Sequence, residues 1–167
     1  ASVPTEMKAV AQHFGQKILR GISRAQVIAA LPQLRESVGD RAILRALHFL
    51  AENDRVAAQS EALKKGDLAA FFDGVIASGL SSFCYLQNVY TTKNVREQGL
   101  SLALNLAEGF LRGKGAWRVH GGGFAGTVQC YVPLSDVDAF RKLMDGAFGA
   151  GACHVLNERA VGAGKVL

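Results

Sequence analysis

The sequence predicts an α+β protein, with helices packed on a mostly antiparallel sheet of about four strands. Three observations carry that expectation. Apolar residues recur at helical spacing through much of residues 5–111, two short runs alternate at a two-residue period on either side of residue 124, and a later helix separates those runs from extended segments near the C-terminus. A hairpin followed by a helix that returns the chain to the sheet is the split, ferredoxin-like arrangement. The expected organisation is a single domain over 1–167, with a helical part over 1–112 and a β-α-β part over 113–167.

The elements follow in order. Met7, Val10, Ala11 and Phe14 make a short amphipathic helix that ends at Gly15. An apolar helix this near the first residue points to neighbours outside the sequence. Ser23 and Gln26 form a capping box for a helix that Pro32 interrupts. Asp40 is the expected cap of a long helix over 41–65, with Ile43, Leu44, Leu47 and Leu50 on one face and Lys64-Lys65 at its negative end. Gly66 stops that helix and Asp67 caps the next, where Leu68, Phe71, Phe72, Val75 and Ile76 share a face. Residues 79–94 lose the helical period and read as a loop or a broken helix. Asn94 and Glu97 form a second capping-box pair ahead of Leu100, Ala103, Leu104, Ala107, Phe110 and Leu111. Ser135 and Asp138 are placed to cap a helix carrying Phe140, Leu143, Met144 and Phe148, and residues 152–157 and 160–167 supply two more extended segments.

Between the two strands lies His120-Gly121-Gly122-Gly123-Phe124-Ala125-Gly126-Thr127, with four glycines in eight residues. A tight hairpin needs only two turn residues. A longer glycine loop suits backbone that approaches a ligand closely or turns its N–H groups toward an anion, although a mobile hairpin loop has the same composition. Arg118 and His120 share a strand face by the period of two and can present donor groups beside that loop.

Composition bounds the function classes. With 49% hydrophobic and 20% charged residues, the chain can bury a core, and no apolar run reaches the roughly 18 to 20 residues of a membrane span. The net charge of +5 raises the question of nucleic acid, yet the cations are dispersed, with no basic stripe interleaved with aromatics. Three cysteines, Cys84, Cys130 and Cys153, lack paired spacing, which argues for a reducing compartment and against structural zinc. Cys130 and Cys153 are expected on strands as small buried hydrophobes. His13, His48 and His154 have no catalytic partner in the sequence. Gly79-Leu80-Ser81-Ser82 has the look of a phosphate-cradling loop but follows a helix rather than preceding one.

The segment Ala116 to Val128 resembles the third signature motif of the GHMP family of sugar and mevalonate kinases, most closely its galactokinase branch, where a strand leads into a G-G-G-F-[G/A]-G loop and out into a second strand. Gly39-Asp40-Arg41-Ala42 through His48-Phe49, the join from Glu61 to Asp67, Ser81-Ser82-Phe83 through Asn88, and His154-Val155-Leu156 resemble the same branch in the same order.

The resemblance implies the C-terminal domain of such a kinase. It carries Gly121, Gly122, Gly123 and Gly126 over as the loop near phosphates and sugar, with Arg118, His120 and Phe124 supporting it and Phe124 as a packing anchor. Ala125 stands where many relatives have glycine. The sugar signature, the ATP phosphate loop and the catalytic Asp and Arg of the family lie in its N-terminal part and are absent here. The implied reaction is transfer of the ATP γ-phosphate to the O1 hydroxyl of galactose, with ATP and Mg²⁺ bound by the intact enzyme, in the cytoplasm, without nucleic-acid or membrane partners. No catalytic residue and no metal ligand are expected in this segment, which is expected to be inactive alone. Three alternatives stay open: a non-catalytic galactose and ATP sensor, an N-acetylgalactosamine kinase, and a free-standing ferredoxin-like module binding a small ligand or RNA.

Overall fold

The computed structural model describes residues 2–124 and 126–156. These form two compact units, Ala1–Tyr131 and Val132–Leu167. The division falls after the hairpin, so the hairpin belongs with the helices that precede it rather than with the helix that follows.

The first unit contains α1 (Ser2–His13), α2 (Arg24–Ala29), α3 (Leu31–Ser37), α4 (Asp40–Lys64), α5 (Leu68–Ser81), α6 (Gly99–Leu111), β1 (Ala116–His120) and β2 (Thr127–Tyr131). Ser23 and Gln26 make the expected capping box, in which the Gln26 N–H donates to Ser23 Oγ at 3.2 Å and the Ser23 N–H donates to Gln26 Oε1 at 2.8 Å. Pro32 does not simply interrupt that helix: it starts α3, because the first turn of a helix has no use for the N–H that proline lacks. Asp40 is the first residue of α4 rather than its cap; its carboxylate accepts from Arg35 Nε at 2.8 Å and Gly39 takes the cap position. The join between α4 and α5 is as expected, with Gly66 at φ +70° and the Asp67 carboxylate accepting the Ala70 N–H at 2.9 Å.

Two further starts differ from expectation. Asn94 makes a local turn, accepting the Arg96 N–H on its side chain at 3.3 Å, and α6 begins only at Gly99. The expected break after residue 78 is a continuation: α5 runs on through a π-helical turn, Ser82–Leu86, until Gln87 adopts the left-handed conformation. Together they make Leu68–Leu86 a 19-residue helical run of mean hydropathy 1.4, long and apolar enough by length and composition to cross a membrane, which the sequence reading did not find. Here it packs on α4 and β1.

The core of this unit is one apolar cluster that includes Val10, Ala11, Leu19, Ile22, Val27, Leu34, Ala42, Ile43 and Ala46, contributed by α1, the turn after it, α2, α3 and the N-terminal half of α4. Burial of such side chains supplies most of the drive to fold, at about 25 cal/mol per Å². The sheet is a two-stranded antiparallel hairpin, Ala116 opposite Tyr131 through His120 opposite Thr127. The expectation of about four strands is corrected for residues 152–156, which form no strand among the described residues; 157–167 lie outside the described residues. α5 and α6 cover the hairpin, as a two-stranded ribbon requires for stability. Tyr131 packs edge-on to Phe71, with ring centroids 5.4 Å apart, and against Phe72 at 5.7 Å.

In the second unit a short 3₁₀ turn, Leu134–Asp136, leads into α7 (Val137–Phe148). Neither Ser135 nor Asp138 caps α7, whose cap position is Asp136, without a side-chain capping hydrogen bond. Phe140 and Met144 are its buried residues. Cys153 is half-buried outside any strand, its N–H donating to Asp145 Oδ1 at 2.9 Å, and burial together with the Asp145 charge raises its thiol pKa.

Candidate functional site

The glycine loop is where the resemblance placed the site, and its four glycines do different work. Gly121 and Gly122 border open space, so nothing stands within 4 Å of where a Cβ would be, and Gly121 has φ +71°. Gly123, at φ +75°, has no room at all: a Cβ would lie 2.1 Å from Asn88 O and 2.7 Å from Asn88 Nδ2. Gly126 closes the turn, donating its N–H to Gly123 O at 3.1 Å. The Phe124 N–H donates to Asn88 O at 2.5 Å. The N–H groups of Gly121, Gly122 and Gly123 make no bond to a described residue, and of the three, Gly121 and Gly122 border open space.

The supporting residues divide as well. Arg118 is half-buried, its Nε donating to Val119 O at 3.2 Å, and burial lowers its pKa. His120 is exposed at the end of β1. The Phe124 ring is 44% exposed, so the anchor at this position is its backbone N–H rather than its ring. Ala125 lies outside the described residues.

Behind β1 the structure assembles a polar seam. On α4, His48, Glu52 and Arg55 stand at i, i+4 and i+7; on α5, Ser78 and Ser81 stand three apart. His48 Nδ1 and Ser81 Oγ are hydrogen-bonded at 2.8 Å, Ser78 Oγ donates to Glu52 Oε2 at 2.6 Å, and Arg55 pairs with Glu52. Between the serines, Gly79 lets α5 lie on β1, since a Cβ there would be 3.1 Å from Arg118 Cα. The stretch Gly79-Leu80-Ser81-Ser82 is therefore a packing face rather than a phosphate loop. Burial, then the charges of Arg55 and Arg118, push the His48 pKa down to about 4, so the imidazole is neutral near pH 7. Burial and the Arg118 charge lower the Arg55 pKa.

A second polar link ties the π-helical turn to the N-terminal helices. Arg45 is 2% exposed; its Nε donates to Leu86 O at 2.9 Å and its Nη1 to Glu6 Oε2 at 2.8 Å and to Ser2 Oγ at 3.1 Å. Burial pushes the Glu6 pKa up, but the Arg41 hydrogen bond and the Arg45 charge outweigh it and hold the carboxyl below its ordinary value. This link holds the end of the turn from which Gln87 and Asn88 reach the loop. The sequence contained a signal for both features, namely charged and imidazole residues at helical spacing on the buried face of α4, opposite serines on α5. Among the described residues, no cluster of three His, Cys, Asp or Glu side chains is placed to hold a metal ion.

Comparison with known proteins places this geometry in a class. No protein-family model matches the chain. The curated relatives it matches are sugar kinases, transferases of a phosphoryl group. More particularly they are galactokinases: the chain is 32% identical over 139 residues to that of Glaesserella parasuis serovar 5, covering 83% of this chain and 34% of the relative, and 29% identical over 134 residues to that of Haemophilus influenzae strain Rd, covering 80% and 33%. A crystal structure of Lactococcus lactis galactokinase complexed with galactose shares the fold, with a TM-score of 0.63, 24% identity, and 85% of this chain and 34% of that one covered. These likenesses support a C-terminal galactokinase segment. The chain spans about a third of the length of the relatives it matches.

Proposed function

We propose that the chain is the C-terminal part of a galactokinase whose intact form transfers the γ-phosphate of ATP to the O1 hydroxyl of galactose. The observation that supports this most is the glycine loop: Gly121 and Gly122, whose N–H groups make no bond to a described residue, border open space, within a chain similar to galactokinases over 83% of its length. Phosphoryl transfer places charge on the equatorial oxygens in the transition state, and preorganised N–H groups stabilise that charge without reorganising. Gly121 and Gly122 have no side chain to keep a phosphoryl group or the sugar at a distance.

In this reading the segment is one wall of the site. ATP and galactose are held with residues outside this chain, and Mg²⁺, which would neutralise phosphate charge, is held there with them. The setting is cytoplasmic, and the isolated segment has no turnover.

A coupled assay of ADP release tests this. The full-length protein is expected to release ADP only when both ATP and galactose are present, and the 167-residue chain to release none. Galactose-independent ADP release by the full-length protein, or turnover by the chain alone, contradicts the proposal.

A further inference from the structure

Two non-glycine residues among those described have positive φ, Gln87 at 56° and Phe124 at 59°, and they flank a single contact. Gln87 ends the π-helical turn in the left-handed conformation and so delivers Asn88 to the glycine loop. Phe124 donates its N–H to the Asn88 carbonyl at 2.5 Å. Asn88 is 2% exposed and fills the space that Gly123 leaves by having no side chain. Its Oδ1 is buried with no hydrogen-bond partner among the described residues. Left-handed backbone at a non-glycine residue and an unpaired buried acceptor both raise the energy of the folded state, and such features persist only where the surroundings impose them. Here three of them coincide where the end of one helix meets the loop.

We infer that Asn88 is the positioning residue of the glycine loop: its carbonyl tethers Phe124 and its side chain backs Gly123, which together set the direction of the Gly121 to Gly123 N–H groups. The inference deepens the proposed phosphoryl-transfer role of the loop and rests on it. Since the carboxamide makes no bond within the described chain, it works by shape rather than by polarity. Asn88→Ala keeps the carbonyl tether and removes the backing. Asn88→Leu keeps the same branched arrangement of side-chain heavy atoms without the polar ones.

In the full-length protein, Asn88→Ala should lower kcat about tenfold while KM for sugar and for ATP stays within about threefold, because a displaced donor loop loses transition-state rather than ground-state contacts. Asn88→Leu should return kcat to within about twofold of the unsubstituted protein, since a side chain of the same branched shape again fills the space against Gly123. An alanine variant with unchanged kcat overturns the inference. So does a leucine variant as slow as the alanine one, because the polar atoms would then be the working part. Hydrogen exchange at the Phe124 amide of the 167-residue chain reads the same contact without turnover. Exchange should quicken in Asn88→Ala and recover in Asn88→Leu, and unchanged protection in Asn88→Ala overturns the clamp. Absence of galactose-dependent turnover in the unsubstituted full-length protein would instead sink the kinase reading alone.

Discussion

The two halves of α4 are built on opposite principles. Its first turns bury Ala42, Ile43 and Ala46 in an apolar cluster with Val10, Val27 and Leu34, where close packing does the work. From residue 48 onward the same helix turns His48, Glu52 and Arg55 toward Ser78 and Ser81 on α5, beside the strand that leads into the glycine loop. An apolar interface tolerates many side chains of similar volume, whereas a hydrogen-bonded one fixes a single register. The polar half fixes α5 on α4, and α5 in turn packs on β1 through Gly79. Arg45, one turn before the change, joins both systems by holding Glu6 of α1 and the carbonyl of Leu86.

The largest effect expected from breaking this arrangement is at Arg45. Arg45→Ala removes the buried cation, orphans the Leu86 carbonyl and leaves Glu6 with Arg41 alone, a loss of about 4 kcal/mol in urea denaturation. Acid should then separate the two halves. A His48 held near pKa 4 in the folded state and near 6.5 when unfolded leaves the unfolded chain binding more protons between those values, so the stability it contributes is complete above pH 6.5 and falls with pH. From pH 6.5 to 5, above the range where Glu6 titrates, the loss should be about 2 kcal/mol. His48→Gln should flatten that slope, and Leu34→Ala, in the apolar cluster, should leave it unchanged while lowering stability at every pH. An effect of similar size, about 2 kcal/mol, is expected for Ser78→Ala, which leaves Glu52 Oε2 without its donor. A Ser78→Ala loss as small as that at an exposed serine would show that the seam adds nothing to the register.

Much of this was legible in the sequence because local chemistry decided it. Gly66-Asp67 marks one helix end and the next helix start whatever surrounds them, and the strands around the glycine loop alternate as half-buried strands do. The unread part is tertiary. Gly79, Ser81 and Ser82 suggest a loop on propensity, yet they are helical and buried because α4 and β1 supply their partners. Asn88 carries no periodicity, and although it ends a segment that resembles the same kinase branch, its place against the loop follows only from the π-helical turn and the gap at Gly123. Asn94 and Asp40 look like caps and instead bond elsewhere, since a turn or an arginine nearby competes for the same oxygen. The expected strand over 152–157 rested on an extended segment following a helix, and over the described residues 152–156 that segment forms no strand, since an extended run does not make a strand without a partner edge.

The central claim is that the open side of the glycine loop faces the transferring group, and Gly122→Ala in the full-length protein tests it most directly. Gly122 has no positive φ and nothing within 4 Å of an added Cβ, so the fold can accept the methyl group without strain. The account predicts an unchanged Tm with kcat lowered about tenfold or more, because the methyl group intrudes where a phosphoryl oxygen must approach the N–H donors. An unchanged Tm with an unchanged kcat would contradict it.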